Sequence, residues 1–499
     1  MSQNAVPDSN SFPTGRPVVF RNATVLTIDP SLGMIENGDV LVVDNRIAEV
    51  GRQLTAPENA VEIDASGGIL MPGMVDTHRH MWQTALRGFG ADWTLTNYFM
   101  FYYINWGKIF RAEDIYAGNL LSAIEAVDSG VTTTVDWSHG LQTVEYADAA
   151  VDALEAVPGR FVLAYGNLLG APWEWTKAPE FADFIRRRID GRGDMLGMQL
   201  AFDVTGDPAF PEKEAFEVAR DFNLPVTTHA GVRGATNDNG IRLMYEHGFM
   251  NPSTIYVHAA TLSEDSYQRI AATGGYTSMS AESEMNAGQG YPPTWQIRRH
   301  NIPVSLSMDT SVWWSADLFS AMRATLNADR AREHLEAHKR DESVNLNHLR
   351  AEQVVMWATL GGAQALGMSN IIGSITVGKK ADLVLIKNDQ SPVMFPLLHP
   401  YGHVVFQAGR GDVHTVMVDG KVVKYEHRLL DIDLTRAKQA VMKTVEYAQS
   451  QMGEQAWNEA MYPEKVMIEL IDNPYTYTDR ERTRTRQIQG NEDSSPTSL

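Results

Sequence analysis

Two histidines lie one residue apart at the end of an apolar run, in the segment Met71-Pro-Gly-Met-Val-Asp-Thr-His78-Arg-His80. If the run is a β-strand, side chains at positions i and i+2 point to the same face, so both imidazoles could bind one metal ion. An ordinary surface strand with two histidines is the alternative for an isolated pair. Three further apolar runs favour the metal site, because they end in His229, His258 and Asp309.

Together these residues form a ligand set of three imidazole nitrogens and one carboxylate, which leaves room for a water: His78, His80, His229 and Asp309. His258 would lie nearby as an acid or base, and Asp309 could both contact the metal and accept a proton from the water. If His258 is considered by itself, the alternative is a core histidine whose ring nitrogens are hydrogen-bonded within the protein.

The elements that must position these residues alternate between short β-rich runs and helical stretches. Eight strand candidates begin near Ile69, Thr132, Phe161, Leu196, Pro225, Thr254, Gly275 and Val304. All the proposed ligands then fall at the C-terminal ends of strands, which is where barrel enzymes place their chemistry. The sequence therefore predicts an α/β fold with a (β/α)8 TIM barrel over residues 73–373.

Short alternating strands flank the barrel segment on both sides, at residues 17–72 and 374–432. Neither block has enough strands to bury two faces, so we expect them to pair into one composite β-sandwich; two separate β appendages are the alternative. We also expect a flexible N-terminus at 1–16, a C-terminal helical segment at 433–478 and a charged flexible tail at 479–499. Periodicity within the helical segment predicts a helix from Leu434 to Met452.

The amino-acid composition limits which binding partners and which cellular compartment we expect for this protein. The 499 residues carry a net charge of −20, which argues against binding to a nucleic-acid backbone. The chain has no cysteine, so thiolate metal sites and disulfides are excluded. Residues 1–16 do not resemble a signal peptide, and no apolar run reaches membrane-spanning length. We therefore expect a cytoplasmic homo-oligomer that acts on a small molecule without a nucleic-acid or membrane partner.

The four ligand-bearing segments, in this order, resemble the amidohydrolase superfamily, in the branch of the adenosylhomocysteine and methylthioadenosine deaminases and the s-triazine hydrolases. The resemblance covers roughly residues 17–430 and extends to Leu86-Arg-Gly88, to Ser129–Asp136 and to Gly373–Leu385. It implies the same metal ligands and a role for His258 in activating the water. It also implies one divalent metal per chain, because the lysine that binuclear members carry after the fourth strand is missing from Leu196–Asp203. Zinc suits the ligand set best, and iron is the alternative.

One position departs from the pattern of that branch. A glutamate three residues after the fifth-strand histidine usually supplies a proton to the heterocycle, and this chain has Val232 there. The candidates to replace it are Glu282 and Glu284, although each could also be a surface loop carboxylate. From Val232 we expect poor deamination of adenine-type or triazine-type rings and a preference for an amide, lactam or imide carbon.

Aromatic residues are dense after the first and third strands. About half would be core packing, and the rest would form a flat apolar pocket suited to a ring. The predicted pocket residues are Trp82, Gln83, Arg87, Trp93, Tyr98 and Trp173. The sequence thus predicts a metal-dependent hydrolase that cleaves a non-peptide C–N bond of a cyclic or aromatic small molecule. Displacement of chloride or a thioether from a heteroaromatic ring is the alternative reaction, and a non-catalytic binding scaffold is disfavoured by the intact ligand set.

Overall fold

The structure is a computed structural model that describes residues 12–13, 15–232 and 235–464, without the side chains of 235–237. The predicted tail at 479–499 and most of the predicted flexible N-terminus lie outside the described residues. The predicted C-terminal helical segment is described only as far as Glu464.

The strands in chain order are β1 (Val18–Leu26), β2 (Met34–Val43), β3 (Arg46–Gly51), β4 (Val61–Asp64), β5 (Ile69–Pro72), β6 (Met74–Arg79), β7 (Val131–Ser138), β8 (Arg160–Tyr165), β9 (Leu196–Ala201), β10 (Val226–Ala230), β11 (Ile255–His258), β12 (Tyr276–Met279), β13 (Val304–Leu306), β14 (Leu383–Ile386), β15 (Val413–Val418), β16 (Lys421–Tyr425) and β17 (Arg428–Leu429).

The α-helices are α1 (Leu95–Phe99), α2 (Ala112–Asp128), α3 (Val144–Glu155), α4 (Pro172–Trp175), α5 (Pro179–Phe184), α6 (Lys213–Asp221), α7 (Ala235–Glu246), α8 (Glu264–Thr273), α9 (Ala281–Asn286), α10 (Thr294–His300), α11 (Leu318–His338), α12 (Ala351–Met356), α13 (Gly362–Ala365), α14 (Pro400–Phe406), α15 (Leu434–Met452) and α16 (Glu454–Met461). Short π-helical segments follow α1 at Met100–Asn105, α5 at Ile185–Ile189 and α12 at Trp357–Gly361.

The strands from β6 to β13 pair in parallel and in sequence order. Backbone hydrogen bonds connect the first and last of them: the His80 N–H donates to the Asp309 carbonyl at 2.7 Å, and the Asp309 N–H donates to the His78 carbonyl at 3.0 Å. The ring is thus closed by the residues that carry three of the predicted ligands. The predicted (β/α)8 barrel is confirmed.

The first barrel strand begins later than the sequence suggested. The apolar run from Ile69 is divided at Gly73, so that β5 belongs to a second sheet and only β6 enters the barrel. A Cβ atom at position 73 would lie 2.1 Å from Oγ1 of Thr132, so only glycine fits this close approach. The expected strand start near Ile69 was therefore wrong, because one continuous apolar run supplies two sheets.

The second sheet has nine strands and is built from both ends of the chain, joined where β5 pairs antiparallel with β14. Side chains on these strands alternate between two cores. Leu70 and Leu385 pack into the core of this sheet, whereas Ile69 and Val384 pack toward the barrel. This mixed sheet is the predicted accessory unit formed by the N- and C-terminal segments, and it is not a pair of separate appendages.

The C-terminal helices pack back onto the barrel side of the molecule. Thr444 in α15 donates a hydrogen bond to Asp114 in α2 at 2.7 Å, and Trp457 in α16 packs on Phe89 with ring centroids 4.5 Å apart. Among the helices that the structure describes, none has both the length and the apolar character that a bilayer crossing requires.

Candidate active site

The four predicted ligands converge at the C-terminal end of the barrel. The ring of His78 lies 4.6 Å from that of His80 and 5.0 Å from that of His229, between centroids. Nε2 of His78 and Nε2 of His80 each lie 3.3 Å from Oδ1 of Asp309. Side chains from β6, β10 and the residues after β13 are thereby brought within reach of one point.

His258 completes the cluster from the end of β11. Its ring stacks on that of His229 at 5.7 Å, and its Nε2 lies 3.9 Å from Oδ2 of Asp309. The backbones of His258 and Asp309 are both left-handed, with φ of 69° and 65°. Such conformations are unfavourable for residues with a side chain and concentrate at functional sites.

Hydrogen bonds to Nδ1 orient two of the imidazoles. The His80 ring lies with Nδ1 3.0 Å from the carbonyl of Trp137, and the His229 ring lies with Nδ1 2.9 Å from Oδ1 of Asp203. When Nδ1–H donates outward in this way, Nε2 faces the centre with its lone pair available.

The site fits a bound cation. Both ring nitrogens of His78 are buried and have no hydrogen-bond partner among the described residues. Buried polar atoms in native proteins are normally paired. A cation in the cluster would give the unpartnered imidazole a ligand role, and three imidazoles with one carboxylate form a donor set typical of zinc.

The protonation states agree with this role. Burial lowers the pKa of His78 and lowers that of His80 to about 4, so both rings are neutral at pH 7. Burial alone would raise the pKa of Asp309, but the imidazole of His78, 3.3 Å away, and the neighbouring rings of His80 and His258 outweigh it and hold this pKa well below its usual range. Neutral imidazoles and an ionised carboxylate are the forms that bind metal.

The two candidate glutamates after the seventh barrel strand differ in their contacts. Oε1 of Glu284 lies 3.3 Å from Nδ1 of His258 and accepts a hydrogen bond from the backbone of Ser280 at 2.8 Å. Glu282 instead accepts a hydrogen bond from Ser315 at 2.7 Å, and burial raises its pKa to about 7. Of the two, only Glu284 contacts a predicted site residue.

A pocket opens over the cluster and combines site residues with aromatic side chains. Its lining consists of His80, Leu95, Tyr98, Phe99, Tyr103, Asp203, His229, Val232, His258, Gln289, Asp309, Thr310 and Trp313. Tyr98 and Trp313 stack with ring centroids 5.1 Å apart. Val232 is therefore a pocket residue, and it adds an apolar side chain to a lining that also contains the predicted ligands His80, His229 and Asp309.

Of the six predicted pocket residues, five lie outside this lining, and Gln83 and Trp93 support it from behind. Gln83 donates a hydrogen bond to the Tyr98 hydroxyl at 2.7 Å, and Trp93 donates one to the Ala460 carbonyl at 2.6 Å. The other three are placed elsewhere: Trp82 packs on Phe110, Arg87 pairs with Glu125, and Trp173 is half-buried in α4.

Several lining residues were not predicted, notably Asp203, Gln289 and Trp313. For Asp203 a signal existed. The parallel register of β9 and β10 pairs Ala201 with Thr227, so Asp203 follows at the level of His229. A carboxylate two residues beyond a strand, beside a histidine on its neighbour, is the arrangement expected of an outer partner to a ligand.

Comparisons with known proteins agree with this site. Residues 69–423 match the model of the amidohydrolase family. The chain is 30% identical over 449 residues to the 5-methylthioadenosine/S-adenosylhomocysteine deaminase of Desulforudis audaxviator, covering 86% of this chain and 99% of that protein. It is 27% identical over 445 residues to the 5'-deoxyadenosine deaminase of Methanosarcina mazei, covering 86% and 98%.

Two zinc-containing crystal structures share the fold. One is an adenosine deaminase from Xanthomonas campestris, with a TM-score of 0.73 and 22% identity over 88% of this chain and 100% of that chain. The other is an atrazine chlorohydrolase from Arthrobacter aurescens, with a TM-score of 0.72 and 19% identity over 86% and 100%. The prediction of a hydrolase that acts on non-peptide carbon–nitrogen bonds is confirmed, and the chain belongs to the amidohydrolase family.

Proposed function

We propose that this protein is a mononuclear zinc-dependent deaminase of an adenosine-type purine nucleoside. The observation that carries the proposal is a cluster beneath a pocket walled by aromatic rings, in which two groups of possible ligands share His78: one with His80 and Asp309, the other with His229 and His258. Relatives that match over most of their length and are named as deaminases of adenosine derivatives support the substrate class.

The four clustered residues would hold the zinc ion, and iron is the alternative metal for this donor set. When bound, the metal would lower the pKa of a water and polarise the carbon that this water attacks. The fourth barrel strand, β9, carries no lysine that could bridge a second metal, which supports a single ion.

Asp309 and His258 are the residues that we assign to proton transfer. Asp309 is the stronger acceptor for the first proton of the attacking water, because its carboxylate is ionised and faces the pocket. Nε2 of His258 lies 3.9 Å from Oδ2 of Asp309, so a small movement would let it take the proton and present it to the substrate.

The pocket wall suits a planar ring. Tyr98, Phe99, Tyr103 and Trp313 supply aromatic surface, and aromatic rings favour stacked or edge-on contacts with a flat partner. Asp203 and Gln289 supply polar contacts in the same lining.

A second candidate is hydrolysis of a cyclic amide, lactam or imide. Val232 favours it, because a valine cannot deliver the proton that departure of an amino group from a heteroaromatic ring requires. Displacement of chloride or a thioether is a third outcome, since that reaction also needs only an activated water and a flat pocket.

One panel separates these reactions. Purified zinc-loaded protein is assayed for ammonia and chloride release against 5'-deoxyadenosine, 5-methylthioadenosine, aminotriazines, chlorotriazines and cyclic amides. The relatives' activities outweigh the poor deamination expected from Val232 alone, so we expect ammonia from the adenosine derivatives with a kcat/KM of about 10⁴ to 10⁸ M⁻¹s⁻¹. His80→Ala is the matched negative control. Turnover of the cyclic amides alone would replace our proposal with the second candidate.

We also propose a cytoplasmic location and a homo-oligomeric state. A chain without cysteine is compatible with a reducing compartment. Fractionation of the source cells and light scattering of the purified protein test these two points separately.

A further inference from the structure

The proposed reaction needs a proton on the departing nitrogen, and the pocket has no acid at position 232. Val232 lines the pocket three residues after His229, and its side chain cannot donate. Another group must therefore direct the transfer.

The nearest buried carboxylate behind the site belongs to Glu284. It is fully buried, and its Oε1 lies 3.3 Å from Nδ1 of His258. The opposite nitrogen of the same ring, Nε2, faces Asp309 and the pocket. The carboxylate, the ring and the pocket thus follow one another in that order.

We propose that Glu284 is a positioning residue which accepts the Nδ1–H of His258 and thereby keeps Nε2 unprotonated and directed at the substrate. His258 then carries the proton that a glutamate at position 232 would otherwise supply. This inference rests on the proposed function for the identity of the substrate, but the hydrogen bond itself does not depend on it.

The proton balance closes without another reactant. Water adds its oxygen to the ring carbon, and the bond from that carbon to the amino nitrogen breaks. One proton of the water ends on the adjacent ring nitrogen and the other on the departing amine, which leaves as ammonia. His258 receives each proton on Nε2 and releases it on the same side, while Nδ1–H remains bound to Glu284.

A purely structural role for Glu284 is a poor explanation of its contacts. Oε2 has no hydrogen-bond partner among the described residues, although it is buried. A buried carboxylate that satisfies only one oxygen is less stable than an apolar side chain of similar volume. Burial also raises the pKa of Glu284, whereas the contact with His258 opposes that rise.

The chain offers a matched control in the same helix. Glu282 is a half-buried glutamate in α9 that accepts a hydrogen bond from Ser315 and does not contact His258. Glu284→Gln and Glu282→Gln therefore make the same chemical change two residues apart, with only one of them behind His258.

The test combines kinetics with a direct view of the ring. In zinc-loaded protein, Glu284→Gln is expected to lower kcat by roughly 10²- to 10⁴-fold with little change in KM or zinc content, as expected when an imidazole loses its orienting carboxylate. Glu282→Gln, which changes the other candidate glutamate, should lower kcat far less than Glu284→Gln, because Glu282 does not contact His258; an equal or larger loss in Glu282→Gln would overturn the inference. In a His258→Ala background, Glu284→Gln should not lower kcat any further, because Glu284 is expected to act only through His258.

Nitrogen-15 spectra of histidine-labelled, zinc-loaded wild type provide a readout that does not need substrate or a folded Glu284 variant. With the His258 signals identified by their loss in His258→Ala, we expect the proton on Nδ1. A proton on Nε2, loss of zinc in Glu284→Gln, or an undiminished effect of Glu284→Gln without His258 would each overturn the inference. If wild type releases no ammonia from any adenosine derivative, the proposed function fails, and the nitrogen spectra still decide the role of Glu284.

Discussion

Removal of the Asp203 carboxylate should weaken zinc binding without abolishing it. Oδ1 of Asp203 lies 2.9 Å from Nδ1 of His229 and also accepts a hydrogen bond from the His229 backbone at 3.2 Å. Loss of such an outer partner to a metal ligand costs about 10- to 100-fold in metal affinity or activity. Because the Asp203 side chain is 42% exposed, water can replace part of the interaction, and we expect the lower end of that range.

The expected result for Asp203→Ala is therefore a zinc dissociation constant raised about tenfold, or about 1.4 kcal/mol, measured by competition with a chromogenic chelator. Asp203→Asn should lose less, because its amide oxygen can still accept the Nδ1–H. Asp207→Asn changes the same residue type on the same loop and serves as the control. Unchanged zinc affinity in Asp203→Ala, or an equal loss in Asp207→Asn, would refute the reasoning.

Three further outcomes can be measured. His258→Ala should keep its zinc and lose about 10²- to 10⁴-fold in kcat, whereas loss of zinc by elemental analysis would make His258 a ligand. Between about pH 6.5 and about pH 4, metal-free wild type should lose roughly 3 kcal/mol more stability than metal-free His80→Ala, because the unfolded chain protonates His80 while burial holds its folded pKa at about 4; equal losses in the two proteins would contradict this. Trp93→Phe removes the hydrogen bond to the Ala460 carbonyl from a ring that packs on Trp313, so it should lower the free energy of unfolding by about 1 kcal/mol and raise KM more than it lowers kcat. An unchanged KM would show that this contact with the C-terminal helix does not affect the pocket.

Much of the barrel could be predicted because its strands are buried on both faces and read as apolar runs. His229, His258 and Asp309 each follow such a run, and the C-terminal ends of parallel strands meet at one edge of a barrel. The start of the first strand could not be predicted, since the apolar run around Gly73 continues without a break in hydropathy. The change of sheet depends on a close contact with Thr132, which is distant in sequence.

The pocket was harder to predict than the ligands. The aromatic segment after the first strand passes from α1 into a π-helical stretch at Met100–Asn105. This change of helical period alters which side chains face inward, so a 3.6-residue period does not separate Tyr103 in the pocket lining from Phe101 and Tyr102 in the core. The Asp203 contact depends on strand register, and Trp313 reaches the pocket from the loop after the eighth strand.

The most direct test of the central claim is a zinc titration of metal-free protein, followed by ammonia release from 5'-deoxyadenosine. We predict that activity rises linearly and stops rising at one zinc per chain, and that His78→Ala, His80→Ala and His229→Ala bind no zinc tightly and remain inactive. Full activity in metal-free protein, or a break at two zinc ions per chain, would contradict a single metal held by this cluster.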